Sequence, residues 1–243
     1  MTIQQSAQAL ANLLKTSGPA VFFGGAGVST ESGIPDFRSA QGLYAGNQKI
    51  SPEELLSRSF YDRYPEEFYA FYREKMLYPD ALPNAAHQTL AKWERQGLVT
   101  AVITQNIDGL HQLAGSREVW ELHGSVHRNR CPRCGEQYSL QDILQSEGLP
   151  RCPCGGLIKP EVVLYEESLP QEALQGAVHA IERSRLMIVG GTSLRVYPAA
   201  GFVDGYQGKL VIINKGPTAR DGAADLVIDA SIGEVLALTD RML

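Results

Sequence analysis

The chain is 243 residues long, 44% hydrophobic, 20% charged and 8% aromatic, a globular profile with material for one large domain and a small one. Its 22 Lys and Arg against 27 Asp and Glu give a net charge of −5, which argues against a generic binder of nucleic acid or of an anionic membrane. No apolar run approaches the ~20 residues that cross a bilayer. The opening Met1-Thr2-Ile3-Gln4-Gln5 lacks the basic segment of a secretory signal, so a cytoplasmic protein without built-in targeting is expected.

From the N-terminus, a helical pattern over Gln4–Lys15 leads into an apolar strand at Ala20–Phe23. A stretch from about residue 40 to 82, rich in Tyr, Glu and Pro, reads as helical. A helix over Ala85–Arg95, with Ala85, Leu90 and Trp93 on one face, precedes a strand at Val99–Thr104. Residues from about 125 to 158 hold the four cysteines among Gly and Pro punctuation. A helix over Gln171–Arg183, a strand at Leu186–Val189 and a helix over Pro198–Tyr206 follow, then strands at Leu210–Ile213 and Leu226–Ile228 and a helix over Ile232–Arg241. Strands apolar at every position suit burial on both faces, and their alternation with helices points to an α/β fold with a doubly wound parallel, Rossmann-like sheet. The two stretches that break the rhythm are expected to build a second, smaller module. On that division residues 1–39, 84–124 and 160–243 form the sheet domain, and insertions 40–83 and 125–159 form the module.

Polar or glycine-rich segments follow four of the strands: Gly24-Gly25-Ala26-Gly27, Gln105-Asn106-Ile107-Asp108, Gly190-Gly191-Thr192-Ser193 and Asn214-Lys215-Gly216. In an open α/β sheet the ligand crevice lies beyond the carboxyl ends of the strands, so these segments are expected to converge on it. Gly25-x-Gly27 is half of a dinucleotide fingerprint, in which glycines let the backbone approach a pyrophosphate. A plain tight turn is an equally good reading, because Thr30 stands where the third glycine would be. The acidic residue usual on a second strand is also absent, and both omissions disfavour a hydride-transferring dehydrogenase. In the next segment Arg38 could hold a phosphate and Phe37 could cover a ring; alternatively Asp36 and Arg38 pair on a surface loop.

Cys131-x-x-Cys134, a gap of 17 residues and Cys152-x-Cys154 have the spacing of a tetrahedral thiolate site for Zn²⁺, closed to water and therefore structural. Redox disulfides or unrelated thiols are the alternatives. A zinc ribbon that reads nucleic acid is opposed by the acidic balance, with only Arg128, Arg130 and Arg133 nearby. The small module is thus expected to be zinc-binding as well as helical.

The run from Gly25 through Ala26, Gly27, Val28, Ser29, Thr30, Glu31, Ser32, Gly33, Ile34, Pro35, Asp36 and Phe37 to Arg38 resembles the first signature of the sirtuins, the NAD-dependent protein-lysine deacylases. Thr104-Gln105-Asn106-Ile107-Asp108-Gly109-Leu110-His111 is similar to their second, and Leu122-His123-Gly124-Ser125 to their third. Gly191-Thr192-Ser193-Leu194 and Ile213-Asn214-Lys215 resemble later nucleotide-contacting segments. The likeness runs in order from about Ala20 to Ile232, and with it come expectations for individual residues. It implies that Gly25, Ala26, Gly27, Thr30, Asp36, Phe37 and Arg38 lie at the diphosphate and ribose end of NAD, used as co-substrate. Gln105, Ile107 and Asp108 would surround the nicotinamide and its ribose, with Asn106 positioning the ribose and a water. Gly191, Thr192, Ser193, Asn214, Lys215 and Ile232 would meet the adenosine half. His123 would be the catalytic base, assisted by Asn106 and Asp108, while His87 is read as a helix-packing residue and His111 and His127 as structural.

The activity implied is group transfer, with acetyl passing from lysine to ADP-ribose and nicotinamide released. Lys159-Pro160-Glu161-Val162-Val163-Leu164-Tyr165-Glu166-Glu167 resembles the family's substrate strand, so Val162, Val163, Leu164 and Tyr165 would pair with an extended acetylated peptide. A simple core strand is the other reading of those four residues, and Glu166 stands where the family often has Gly. Sirtuins that prefer succinyl or malonyl groups carry Tyr-x-x-Arg; here Tyr69 has Tyr72 three places on and Arg73 one step further round a helix. A neutral acyl pocket, hence acetyl, is expected. Other neutral acyl groups, an ADP-ribosyltransferase built on the same motifs and a non-catalytic NAD-sensing module are the competing functional readings.

Overall fold

The structure is a computed structural model of the chain and describes residues 1–37, 42, 50–195 and 197–243. In chain order the strands are β1 (Ala20–Gly24), β2 (Val99–Thr104), β3 (Val119–Glu121), β4 (Gly124–Arg130), β5 (Gln137–Tyr138), β6 (Lys159–Val162), β7 (Leu186–Gly190), β8 (Lys209–Ile213) and β9 (Leu226–Ile228). The helices are α1 (Ile3–Thr16), α2 (Pro52–Leu55), α3 (Arg58–Arg63), α4 (Pro65–Lys75), α5 (Ala85–Arg95), α6 (Leu110–Leu113), α7 (Leu140–Gln145), α8 (Gln171–Glu182), α9 (Gly201–Asp204) and α10 (Ile232–Asp240).

Six strands form one sheet in the order β3-β2-β1-β7-β8-β9, and every pair in it is parallel. Side chains alternate faces along a strand, and the core divides accordingly. Phe22, Val102, Ile188, Val211 and Ile213 pack with Leu10 and Leu14 of α1, Leu90 and Trp93 of α5, and Val235 and Leu236 of α10. Val21, Phe23, Ile103, Met187, Val189 and Ile212 pack on the opposite face with Ala177 of α8 and Val203 of α9. Burying both faces is what makes these strands apolar at successive positions, and the doubly wound sheet expected from that pattern is present. Local signals fix the helix starts. Thr2 accepts from the Gln5 amide while the Gln5 side chain accepts from the Thr2 amide, and the Asn84 side chain accepts from the Ala86 amide at 2.9 Å, each satisfying donors a helix start leaves orphaned.

The helix expected over Pro198–Tyr206 is only Gly201–Asp204, because the residues before it form tight i→i+3 turns, with the Gly201 amide donating to the Pro198 carbonyl at 3.0 Å, and Gly205 ends it. Strands β3 and β4 stand where no strand is expected. β4 pairs antiparallel with β5 and β6 in a separate three-stranded sheet. A third apolar cluster joins that sheet to the helices of the earlier stretch: Phe60 and Tyr61 of α3, Phe68, Tyr69 and Tyr72 of α4, Val126 of β4 and Ile143 of α7. Four aromatic rings there meet in mutual contact, Phe68 edge-on to Tyr61 at 5.1 Å and to Tyr69 at 5.3 Å and stacked on Tyr72 at 5.5 Å. The two interruptions of the α/β rhythm thus share one core, the smaller module beside the sheet.

Candidate active site

The strand order reverses between β1 and β7, and the turns that leave these two strands interlock. The Gly25 amide donates to the Gly190 carbonyl at 3.1 Å, the Gly27 amide to the Gly191 carbonyl at 2.8 Å, and the Gly191 amide to the Ile213 carbonyl at 3.1 Å. A methyl group on Gly27 would sit 2.7 Å from Gly191 Cα, and one on Gly25 would sit 2.7 Å from Thr192 Cβ. Gly191 has φ +60° and lies just as tight against Val28. In this structure those glycines are required by the contact between the two turns, a nearer cause than approach to a pyrophosphate. Glu31 accepts from the Gly233 amide at 2.9 Å, an acid at the start of α10, where the helix dipole favours it.

A polar cluster grows from the ends of β1 and β2. Ser29 Oγ donates to Asp108 Oδ2 at 2.6 Å and accepts from Asn106 Nδ2 at 3.0 Å. The other Asp108 oxygen accepts from the Leu110 amide at 3.0 Å, so the carboxylate is oriented at both ends. Gln105 donates through its amide to the Gly24 carbonyl at 3.0 Å and through Nε2 to Thr192 Oγ1 at 3.2 Å, bridging the β1, β2 and β7 turns. His123 Nδ1 lies 2.9 Å from the Gln105 carbonyl. A carbonyl only accepts, so Nδ1 carries the proton and Nε2 keeps its lone pair. Burial pushes the His123 pKa down from 6.5, with the Gln105 hydrogen bond opposing, so the ring is neutral near pH 7. His127 Nε2 sits 2.9 Å from the Asp108 carbonyl and steadies the same loop.

These groups open on one cavity of about 570 Å³, a volume in the range that accommodates cofactors and their substrates. The turn residues Gly25, Ala26, Gly27 and Thr30 line it with Asp36 and Phe37, as do Gln105, Asn106, Ile107, Asp108 and His123. Gly191, Thr192 and Ser193 line it from β7, and Asn214, Lys215 and Ile232 from β8 and α10. Val162, Val163, Leu164 and Tyr165 border it too. All the expected cofactor and substrate residues therefore meet at one place, except Arg38, which lies outside the described residues. Of the substrate segment only Val162 belongs to a strand of the small sheet. Beyond it the Val163 amide donates to the His123 carbonyl at 2.9 Å and the Tyr165 amide to the Leu56 carbonyl at 3.0 Å, while the Leu164 amide donates to Glu167 Oε2 at 2.9 Å.

The wall opposite the sheet includes Leu56, Tyr72, Met76, Val126 and Leu140, residues the sequence reading leaves out of the site. Arg73 is not among the lining residues. Its guanidinium donates to Ser146 Oγ at 2.8 Å and to the Ser146 carbonyl at 3.2 Å, so the one-step rotation past Tyr72 carries it away to the end of α7. Ser29 is the larger omission: its place in a motif was legible, but its bonds to residues 77 and 79 positions away were not.

The four cysteine thiols form a cluster whose Sγ atoms lie within 4.8 Å of one another. Cys131 and Cys154 are 3.5 Å apart, and Cys134 and Cys152 3.4 Å, too far for S–S bonds. Four thiolates at zinc's usual bond length stand roughly 3.8 Å apart, so the set fits that ion. Each pair rides on a tight turn: the Gly135 amide donates to the Cys131 carbonyl and the Gly155 amide to the Cys152 carbonyl, both at 2.8 Å. A methyl group on Gly156 would fall 2.6 Å from Cys131 Sγ, so the cluster closes only over a glycine.

A family model described as the Sir2 family matches residues 25–198. The chain belongs to the Sir2 family. An NAD-dependent protein deacetylase of Clostridium perfringens is 56% identical over 234 residues, covering 93% of this chain and 95% of that protein. A solved Sir2 structure with a deacetylated p53 peptide and 3′-O-acetyl-ADP-ribose aligns over 98% of each chain with a TM-score of 0.90 and 42% identity. A Sir2 complex with p53 peptide and NAD⁺ aligns over 96% of this chain and 97% of its own, with a TM-score of 0.86 and 43% identity. Within this Sir2-family site, Glu166 remains the local departure: it adopts φ 76°, the left-handed conformation that a glycine takes at no steric cost.

Proposed function

We propose that this Sir2-family chain is an NAD-dependent protein-lysine deacetylase that passes the acetyl group of a lysine side chain to ADP-ribose and releases nicotinamide. The observation that carries the reading is His123. Its Nδ1 is tied to the Gln105 carbonyl and its Nε2 has no protein partner among the described residues. It borders the same cavity as the Ser29–Asn106–Asp108 cluster and the Val162–Tyr165 segment. A neutral imidazole with a free lone pair is the natural base for a ribose hydroxyl. NAD supplies a ribose carbon that becomes electrophilic as nicotinamide leaves.

The chain's own residues do the rest. Gly25, Ala26, Gly27, Thr30, Asp36 and Phe37 hold the diphosphate and ribose end, with Arg38 as a further candidate. Gly191, Thr192, Ser193, Asn214, Lys215 and Ile232 hold the adenosine half. Gln105, Ile107 and Asp108 enclose the nicotinamide end, and Asn106 orients the ribose. Asp108 is suited to this because Ser29 and the Leu110 amide already fix its carboxylate, so little reorganisation accompanies binding. Val162, Val163, Leu164 and Tyr165 face the peptide, and the apolar wall excludes water that would only hydrolyse NAD. His123 takes the proton of the ribose hydroxyl, which adds to the acetyl carbon once the acetyl oxygen has displaced nicotinamide. Water then replaces the lysine nitrogen on that carbon, the free amine leaves, and the acetyl group stays on ADP-ribose as its ester.

Cys131, Cys134, Cys152 and Cys154 hold Zn²⁺ as a structural staple of the module built from residues 40–83 and 125–159, beside a sheet domain of 1–39, 84–124 and 160–243. The aromatic and aliphatic core shared by the two insertions supports that division. No helix among the described residues is long and apolar enough to cross a membrane. Thiols arranged for a metal and not as disulfides suit a reducing compartment, the cytoplasm.

The test incubates the protein with NAD and an acetyl-lysine peptide and follows the products by mass spectrometry. Equal amounts of nicotinamide, deacetylated peptide and O-acetyl-ADP-ribose are expected. Because Arg73 faces away, a succinyl-lysine peptide should be the poorer substrate by kcat/KM. ADP-ribose appearing on protein without O-acetyl-ADP-ribose would overturn the reading in favour of ADP-ribosyl transfer, and NAD binding without nicotinamide release would leave a sensing module.

A further inference from the structure

Among the described residues only two that are not glycine have positive φ, Glu166 at 76° and Leu194 at 54°. Glu166 lines the cavity, and so do Ser193 and Arg195 on either side of Leu194. A side chain in that region is sterically disfavoured, and such outliers persist where the surroundings over-determine them. At Glu166 the surroundings are explicit. Its Oε2 accepts from the Ser59 amide and its Oε1 from Ser59 Oγ, both at 2.9 Å. Beside it the Tyr165 amide donates to the Leu56 carbonyl and the Arg58 amide donates to the Tyr165 carbonyl, each at 3.0 Å. The carboxylate thus fastens the lip of the cavity, residues 163–167, to the start of α3 in the small module. The same lip is tied to the base through the Val163 amide and the His123 carbonyl.

We propose that Glu166 is a positioning residue for the peptide substrate. Its carboxylate fixes the lip at the separation from α3 that receives an acetylated peptide, and it acts through residues 163–165 without touching substrate. The inference rests on the deacetylase reading and on peptide contact at Val162–Tyr165. A glycine would hold the same φ without strain, so what the glutamate adds is the double hydrogen bond.

Three variants separate the clamp from the strain. Glu166→Gly removes both, and Glu166→Gln keeps an oxygen for the Ser59 amide and an NH₂ for Ser59 Oγ. Ser59→Ala removes the hydroxyl bond to Glu166, along with the 3.2 Å contact to Ser57 Oγ, while keeping the amide bond. Steady-state kinetics are run with peptide and NAD varied independently. In Glu166→Gly the peptide KM should rise about fivefold, while kcat and the NAD KM stay within about twofold. Ser59→Ala should move the peptide KM the same way by less, and Glu166→Gln should stay near the unsubstituted protein. A purely structural defect would lower kcat through the active fraction and leave the peptide KM alone. An unchanged peptide KM in Glu166→Gly, an equal rise in the NAD KM, or Glu166→Gln behaving like Glu166→Gly overturns the assignment while the deacetylase reading stands. Absence of deacetylation by the unsubstituted protein would overturn that reading and this inference together.

Discussion

His123 illustrates how a single side chain is prepared by its surroundings. The Gln105 carbonyl selects the tautomer, and burial favours the uncharged ring. Lowering the pKa preserves the basic form to lower pH, so the acidic limb of kcat/KM should fall below the ordinary histidine value of 6.5 and not above it. His123→Ala should reduce deacetylation by at least about 100-fold, while circular dichroism and the melting temperature stay close to those of the unsubstituted protein. An acidic limb centred above 6.5, or substantial turnover by the alanine variant, would remove His123 from the role of base. Sequence alone could nominate this residue only by resemblance, since five histidines are present and nothing local marks this one. The bond to Gln105 comes from a residue 18 positions away.

At the scale of elements, legibility followed burial. Ala20–Phe23, Leu186–Val189 and Leu210–Ile213 were readable because both faces of those strands are covered, which leaves an uninterrupted apolar run, while Val99–Thr104 and the edge strand Leu226–Ile228 keep the β-branched apolar pattern although Thr100 and Val227 are exposed. Gly124–Arg130 was not: its sequence Gly-Ser-Val-His-Arg-Asn-Arg has no such run, and it is a strand because β5 and β6 pair with it. The cysteine turns were the reverse case, since spacing alone announces a metal-ligand set. Their consequence belongs to the module, because Cys131 and Cys152 are buried within the same cluster as Phe60, Tyr69 and Ile143. Cys131→Ala removes one thiolate from a closed four-ligand set and opens a hole in that core. Zinc content should fall from about one ion per chain, and the melting temperature should drop. Chelation of the unsubstituted protein should lower its melting temperature in the same direction. Unchanged zinc content and melting in Cys131→Ala would show that the thiols hold no structural metal.

On the scale of the whole molecule, the α/β core and the converging turns were legible because repeated strand–turn units restrict the topology, but the contacts that lock helices behind the site were not. His87 and His111 are an example. They come from α5 and α6, both are fully buried, and their rings meet edge to face 4.6 Å apart. His87 Nδ1 accepts from the Asn84 amide, whereas His87 Nε2 and both nitrogens of His111 have no partner among the described residues. Burial pulls His87 down to about 4, with the Asp108 charge opposing, and holds His111 well below 6.5, with His87 adding to the effect. In the unfolded chain both titrate near 6.5. The unfolded state therefore binds more protons as pH falls below 6.5, and stability contributed by the neutral pair is full above that value and declines towards pH 4. Both rings contribute to that loss, because burial lowers each below its unfolded value. Because the His111 ring nitrogens have no hydrogen-bond partner among the described residues, His111→Phe should fill the ring's place against Phe22, orphan nothing and flatten the decline. Urea unfolding at pH 7 and pH 4.5 should show a smaller difference for that variant than for the unsubstituted chain. His87→Phe should instead destabilise at both pH values by stranding the Asn84 amide. Equal pH dependence in His111→Phe and the unsubstituted protein would locate the acid sensitivity elsewhere than in this pair.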